Sequence, residues 1–310
     1  MLETWLTREL GVTIPLVGAP MGGRAGGSLA GEVTKAGGLG LIGAARYNSA
    51  EWLEEQAHTA REIGGGLLGF GLMTWSLHDD DSLLDAVLEH RPQVVTLSFG
   101  DPAPYVQRVH DAGAVVISQI NTHEDLRIVE AAGVDAVVAQ GHEAGGHTGR
   151  IGTLPLLQEV LESTELPVLA AGGIASGRGL AAVLAAGGVG ALVGTALLAS
   201  PETVGPSYAR DRLIAAGSAD TVYTDVFDKA RHQPWPARWG GRALVNSFTE
   251  KWHGRGADEQ TLAGEYTGDD PDIGVVYAGE AAGLVRAQRP AGDVIRDIGA
   301  QAEELLGRFR

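Results

Sequence analysis

The sequence predicts an α/β fold, a (β/α)8 TIM barrel with a cap segment inserted after the eighth strand and a C-terminal helix. Three observations predict it. Short apolar runs recur, eight of them before residue 200, beginning roughly every 20–30 residues as in a closed parallel barrel. None alternates cleanly between polar and apolar, as expected of parallel strands covered on both faces. Helical stretches that end in Gly fill the gaps, which is the strand–helix–Gly–strand rhythm of βαβ units.

In chain order the runs are IPLVGAP (14–20), GLGLIGA (38–44), LLGFGLM (67–73), VVTLSF (94–99), VVISQI (115–120), AVVAQG (136–141), VLAAGG (168–173) and ALVGTA (191–196). Between them, SLAGEVTKAGG, NSAEWLEEQAHTAREIGGG, NTHEDLRIVEAAG and SGRGLAAVLAAGG carry helical spacing and Gly stop signals, the second with an N-cap Ser. An open doubly wound sheet would share this alternation. Eight units suit closure, and no G-x-G-x-x-G fingerprint follows the first strand. The uncharged stretch LAAVLAAGGVGALVGTALLAS (180–200) is long enough to span a bilayer. Its Gly-rich middle instead divides it into a helix and a strand, the size of one αβ unit.

The period ends after the eighth strand. Residues 201–282 hold Trp235, Trp239, Trp252, Tyr223, Tyr266 and Tyr277, and the two prolines of QPWPARW. We read 1–200 as the barrel, 201–282 as a cap over its mouth that shapes the substrate pocket, and 283–310 as a helix packing back on the barrel. Aromatic enrichment fits a subunit interface as well, so a homo-oligomer is compatible with the same segment.

Composition narrows the function. The 310 residues are 44% hydrophobic, enough for one large core, and carry a formal charge of −16. That charge disfavours nucleic acid and anionic membrane surfaces as partners. There is no cysteine, which excludes disulfides, Cys-ligated zinc, iron–sulfur clusters and a thiol nucleophile, and is compatible with a cytoplasmic protein. The start, MLETWLTREL, lacks the basic and apolar regions of a signal peptide.

In such barrels the loops after the strand C-termini build the active site. The loop after the first strand is APMGGRAGG (19–27), whose bare backbone suits a flat ligand. Gly172 and Gly173 end the seventh strand, and Gly194 and Thr195 the eighth. These are the strand ends where a barrel binds phosphate on free amides near a helix N-terminus. Residues 141–150, GHEAGGHTGR, leave the sixth strand. His147, bracketed by glycines at the rim, is the candidate base or hydrogen-bond donor. His142 and Glu143 are weaker candidates. A metal on His142, Glu143 and His147 is disfavoured because HEAGGH lacks the helical H-E-x-x-H spacing; no metal is expected.

The strings APMGG, QGHEAGGHTG, AAGGIASGRGLAAVLAAG and VGTALLAS resemble the motifs of the nitronate monooxygenase family, once called 2-nitropropane dioxygenases. The resemblance covers about residues 10–200 and resumes in GDDPDIGVVYAGEAAGLV. The E-A-G-G-H-x-G string is shared with flavin-dependent enoyl reductases and quinone reductases on the same scaffold. The resemblance implies FMN as cofactor, with a small-molecule substrate and O2 as partners. It implies that Ala19, Pro20 and Met21 offer backbone to the isoalloxazine and that Gln119 and Gln140 bond the flavin or ribityl chain. Gly146 would lie beside the flavin, Gly172, Gly173, Gly194 and Thr195 would take the phosphate, and His147 would face the substrate. Met73 departs from the pattern, since many relatives carry Asn there. The implied reaction takes an alkyl nitronate and O2 to a carbonyl compound and nitrite. An NAD(P)H-dependent flavin reductase is one rival, and a flavin- or phospho-metabolite-binding barrel without turnover is another.

Overall fold

Eight parallel strands close on themselves. In the computed structural model, which describes residues 2–308, they are β1 (Leu16–Gly18), β2 (Leu39–Gly43), β3 (Gly69–Met73), β4 (Val94–Ser98), β5 (Val115–Ile120), β6 (Ala136–Gln140), β8 (Val168–Ala171) and β9 (Gly190–Val193). They pair in that order, and β9 returns to β1. Seven fall inside their apolar runs and β9 starts one residue before its run, so the closed barrel of the sequence reading is the observed fold. The stretch 180–200 is divided as expected, between helix Gly177–Ala185 and β9. Among the described residues no helix is long and apolar enough to cross a membrane.

Burial explains the pattern. Val17, Leu39, Leu41, Val94, Ile117, Val138 and Leu169 fill the barrel interior, while their neighbours Leu16, Ile42, Val95, Val116, Val137, Val168 and Ala170 pack under the helices. Both strand faces are dry, so no polar alternation is left to read. The short helix Trp5–Leu10 joins Leu6 to the interior cluster. Interior parity then places the site. Along β5 it runs Val115, Ile117, Gln119, and along β6 Ala136, Val138, Gln140. Both glutamines therefore crown the interior at the C-terminal mouth.

The loop GHEAGGHTGR is not wholly loop. Gly146–Thr148 forms a short strand, β7, that leaves the barrel and pairs antiparallel with β11 (Gly240–Leu244). With β10 (Thr221–Thr224) the order is β10-β11-β7. Segment 201–282 thus has regular structure where no period was visible. It holds β10, β11 and helices Ser207–Ala215, Val226–Ala230, Ser247–Trp252 and Glu259–Glu265. These elements are 4–9 residues long, too short to show a repeat. Trp239 is buried and its indole N–H donates to Asn121 Oδ1 at 2.9 Å, just past β5.

The terminal helix is shorter than the 283–310 reading. Glu280–Leu284 is a 3-10 turn, and the α-helix runs Ala291–Gly307 behind Pro290. Proline lacks the N–H that a helix interior needs, but serves at a helix start. Ala291, Ile295, Ile298 and Ala302 form the buried face, which lies against helices Gly177–Ala185 and Gly27–Lys35. Residues 309 and 310 of that reading lie outside the described residues.

Candidate active site

A cavity of about 630 Å3 opens at the C-terminal mouth between barrel and cap, within the size range of ligand and cofactor sites. Its floor is the loop after β1. Ala19, Pro20 and Met21 line it, and Pro20 sits so close to β3 that a Cβ on Gly71 would come within 2.3 Å of its ring carbons. Met73 lines the cavity as well.

Gly172, Gly173, Gly194 and Thr195 line one end. Gly172 and Gly173 follow β8 with φ of 104° and 71°, a left-handed pair that glycine adopts without strain. Position 172 is also crowded, since a Cβ there would meet Thr153 Oγ1 at 2.7 Å and Gly141 O at 3.0 Å. Position 173 is open, with Glu143 Cβ the nearest atom at 3.7 Å. The nine-residue helix Gly177–Ala185 begins just beyond. Thr195 Oγ1 accepts from the Gly279 amide at 2.9 Å, which ties the segment before the terminal helix to β9. Its hydroxyl proton is still available to a ligand.

Gln119 and Gln140 both line the cavity but differ in their bonding. Gln119 Nε2 is buried without a hydrogen-bond partner. A buried amide left so costs about 1–3 kcal/mol, which a ligand acceptor would relieve. Gln140 is bonded to protein: Oε1 accepts from Asn121 Nδ2 at 2.8 Å and Nε2 donates to the His147 carbonyl at 3.2 Å. It fixes the loop that carries His147.

His147 sits on β7 after Gly146, whose φ is 72°. Both line the cavity. The imidazole is buried, and Nε2 lies 2.8 Å from Asp228 Oδ2. A carboxylate only accepts, so the proton on this contact belongs to Nε2, and Nδ1 is the other ring nitrogen. Tyr277 donates to Asp228 Oδ1 at 3.1 Å. Burial, then the neighbouring Asp228 charge, pushes the Tyr277 phenol well above its ordinary value, so it stays a donor. Trp235 covers the imidazole at 3.4 Å between centroids and 7° from parallel. Phe99 meets Trp235 edge-on and Trp75 packs against it, both at 5.1 Å.

His142 faces elsewhere. Its Nδ1 contacts Glu143 at 3.2 Å and its Nε2 Glu280 at 3.8 Å, and it does not line the cavity. Glu143 accepts from the amide and hydroxyl of Thr153 at 2.9 and 2.7 Å. Burial would raise its carboxyl, but these bonds outweigh burial and lower it. Among the described residues no three His, Asp or Glu groups converge as metal ligands.

The eleven residues given a catalytic or cofactor role in the sequence therefore line one cavity, while the weaker candidates His142 and Glu143 do not. Sequence reasoning missed Asp228, and placed Tyr277 and Trp235 only in the cap, without their contacts to the His147–Asp228 pair; all three come from the aperiodic segment. The pairing of β7 with β11 brings that segment over His147, and no local pattern encodes it.

A family model described as nitronate monooxygenase matches residues 70–301. The chain belongs to the nitronate monooxygenase family. It is 29% identical to a nitronate monooxygenase of Neurospora crassa, over 95% of this chain and 90% of that protein. A (3aS,4S,5R,7aS)-5-hydroxy-7a-methyl-1-oxo-octahydro-1H-indene-4-carboxyl-CoA dehydrogenase of Rhodococcus jostii is 33% identical, over 82% of this chain and 70% of that protein. Among solved structures, FabK of Thermotoga maritima superposes with a TM-score of 0.87 at 30% identity, covering 100% of this chain and 99% of that one. A nitroalkane oxidase of Streptomyces ansochromogenes gives 0.82 at 31%, covering 98% and 99%. The chain is an oxidoreductase of this flavin-dependent family, whose members oxidise nitronates or nitroalkanes.

Proposed function

We propose that this chain is an FMN-dependent enzyme that oxidises alkyl nitronates with O2 to a carbonyl compound and nitrite. It accepts neutral nitroalkanes after removing their α-proton. The observation that carries this reading is the shared cavity, with His147, held by Asp228, opening onto the same space as the glycine cradle.

The residues fit the cofactor. The cradle of Gly172, Gly173, Gly194 and Thr195 would hold one phosphate at a helix N-terminus, and one phosphate suits FMN better than a dinucleotide. The orphaned Gln119 amide and the 19–21 backbone would hold the ring system. When bound, the flavin supplies the electron chemistry toward the substrate and O2.

The chain supplies placement and proton handling. With Nε2–H committed to Asp228, Nδ1 of His147 takes the α-proton of a neutral nitroalkane. With that proton on it, the same nitrogen donates to an anionic nitronate. Tyr277 holds the other oxygen of Asp228, so the carboxylate cannot swing away. Trp235, Phe99 and Trp75 form an apolar wall that excludes water from the reacting carbon.

A substrate panel under air tests the reading, with nitrite release and NAD(P)H oxidation followed in parallel on the purified protein. Nitrite from nitronates with little NAD(P)H consumption is expected. Rapid anaerobic bleaching by NAD(P)H without nitrite would replace it with a reductase. The E-A-G-G-H-x-G string, shared with flavin-dependent enoyl and quinone reductases, is what supports that second reading.

A further inference from the structure

The cavity is also lined by Arg24, Arg46 and Arg231, and none has a carboxylate within ion-pair distance among the described residues. In a chain of net charge −16, three guanidinium groups without a carboxylate partner around one space are unexpected; Arg46 lies over the Trp75 ring, 5.9 Å from its centroid. The carboxylates of the lining are Asp228, engaged by His147 and Tyr277, and Asp269, which is exposed.

Two of the arginines are carried by the β1 loop and the cap. Arg24 leaves the β1 loop toward the cap, where Nη1 donates to Val204 O at 3.2 Å. Arg231 follows helix Val226–Ala230, three residues past Asp228, so it lies about one helical turn, roughly 5 Å, from the residue that holds His147. The hydroxyl of Tyr47 hangs over the same loop, 3.2 Å from where a Cβ on Gly22 would stand. Burial, opposed by the neighbouring Tyr208 and reinforced by the like charges of Arg210 and Arg231, holds the Arg24 guanidinium below its ordinary value. An anion among these groups relieves both penalties.

We propose that Arg24 and Arg231, with the Tyr47 hydroxyl, form an oxyanion subsite at the cap end of the cavity, for a carboxylate or phosphate carried by the second ligand. Guanidinium is the side chain suited to bidentate capture of either group. A ligand whose reacting atom lies at His147 and whose anionic group lies a few bonds away spans the two. The inference rests on this cavity being the cofactor and substrate chamber, whichever substrate turns over in it.

The test is equilibrium binding to the yellow holoprotein, whose glycine cradle already holds its own phosphate. Inorganic pyrophosphate and glutarate are titrated by calorimetry at low ionic strength. A saturable site is expected in the wild type. Loss of one charge-assisted pair weakens binding at least about tenfold, so Arg231→Gln should do so, and Arg24→Gln with Arg231→Gln should weaken it further. Arg231→Lys should fall between and guards against a folding artefact. Tighter pyrophosphate assigns the site to phosphate, and tighter glutarate to carboxylate. Absence of binding to the wild type, or equal affinity in wild type and double variant, overturns the proposal. The flavin content of the same samples reports separately on the FMN reading.

Discussion

The imidazole of His147 and the indole of Trp235 lie face to face, 3.4 Å between centroids and 7° from parallel. One belongs to the barrel's sixth loop and the other to the cap, 88 residues later. The stack covers one face of the ring while Asp228 accepts a hydrogen bond from its Nε2–H, so two cap residues set the orientation of one barrel residue. Trp235→Ala should leave the imidazole free to rotate and admit water. Turnover should fall about tenfold or more, since positioned acid–base groups act over a 10²–10⁴ range. Flavin occupancy should stay unchanged, and stopped-flow reduction with absorbance of the bound flavin measures both.

Asp228 is a positioning residue. Asp228→Asn presents an amide that can donate toward Nε2 and favours the wrong tautomer, so the loss should exceed that of the Trp235 variant, about 10² or more. Tyr277→Phe removes one hydrogen bond to Asp228 and should cost about 1.5–3 kcal/mol at most. The readout is the ratio of rates on neutral nitroalkane and preformed nitronate. A merely structural role would lower both alike, whereas loss of the positioned base depresses the neutral substrate more.

His147→Asn should retain FMN and lose about 10²–10⁴ in rate, more on the neutral substrate than on the nitronate. His142→Asn should change rates by no more than about tenfold, because its ring pairs with Glu143 and Glu280 outside the cavity. Nitrite release by both variants on both substrate forms makes the comparison. A matching collapse in the His142 variant would reverse the assignment.

Gly173→Asp should fold and come out colourless. The position is sterically open, and Asp tolerates a positive φ better than most residues. Its carboxylate would stand among the phosphate's amide donors and repel a dianion. Gly172→Ala should fail differently, through collision with Thr153 and Gly141, and lower stability as well as occupancy. Circular dichroism, urea midpoint and flavin absorbance separate the two. A Gly173→Asp protein with wild-type flavin would place the phosphate elsewhere.

Glu143 ties the sixth loop to the start of helix Thr153–Leu161. Its folded-state value is lowered, by the Thr153 bonds overcoming burial. A lowered carboxyl contributes stability that is present above the unfolded value and is lost as pH falls through the folded one. Glu143→Gln should therefore cost about 1–3 kcal/mol at neutral pH. The gap between variant and wild type should close on acidification below the ordinary carboxylate range near 4.3. Urea midpoints at several pH values test this, and a gap that is constant across pH would assign the effect to packing.

The sequence by itself determined the barrel, because each parallel strand is buried on both faces and must be written as an apolar run. It also placed the residues that line the cavity: Gly172, Gly173, Gly194 and Thr195 follow directly on β8 and β9, and Ala19–Met21 on β1. At a barrel mouth, position along the strand is position in space. His147 was legible for the same reason, as the end of a strand marked by glycines. Its partners were not. Asp228 lies 81 residues away in a helix of five residues, and Tyr277 and Trp235 stand in stretches without periodicity. Their arrival depends on the antiparallel pairing of β7 with β11, a register between backbone groups far apart in the chain. Only the tertiary structure decided which acid meets the histidine, because long-range pairing selects its partner by packing of the whole cap and leaves no local signature in the residues it joins.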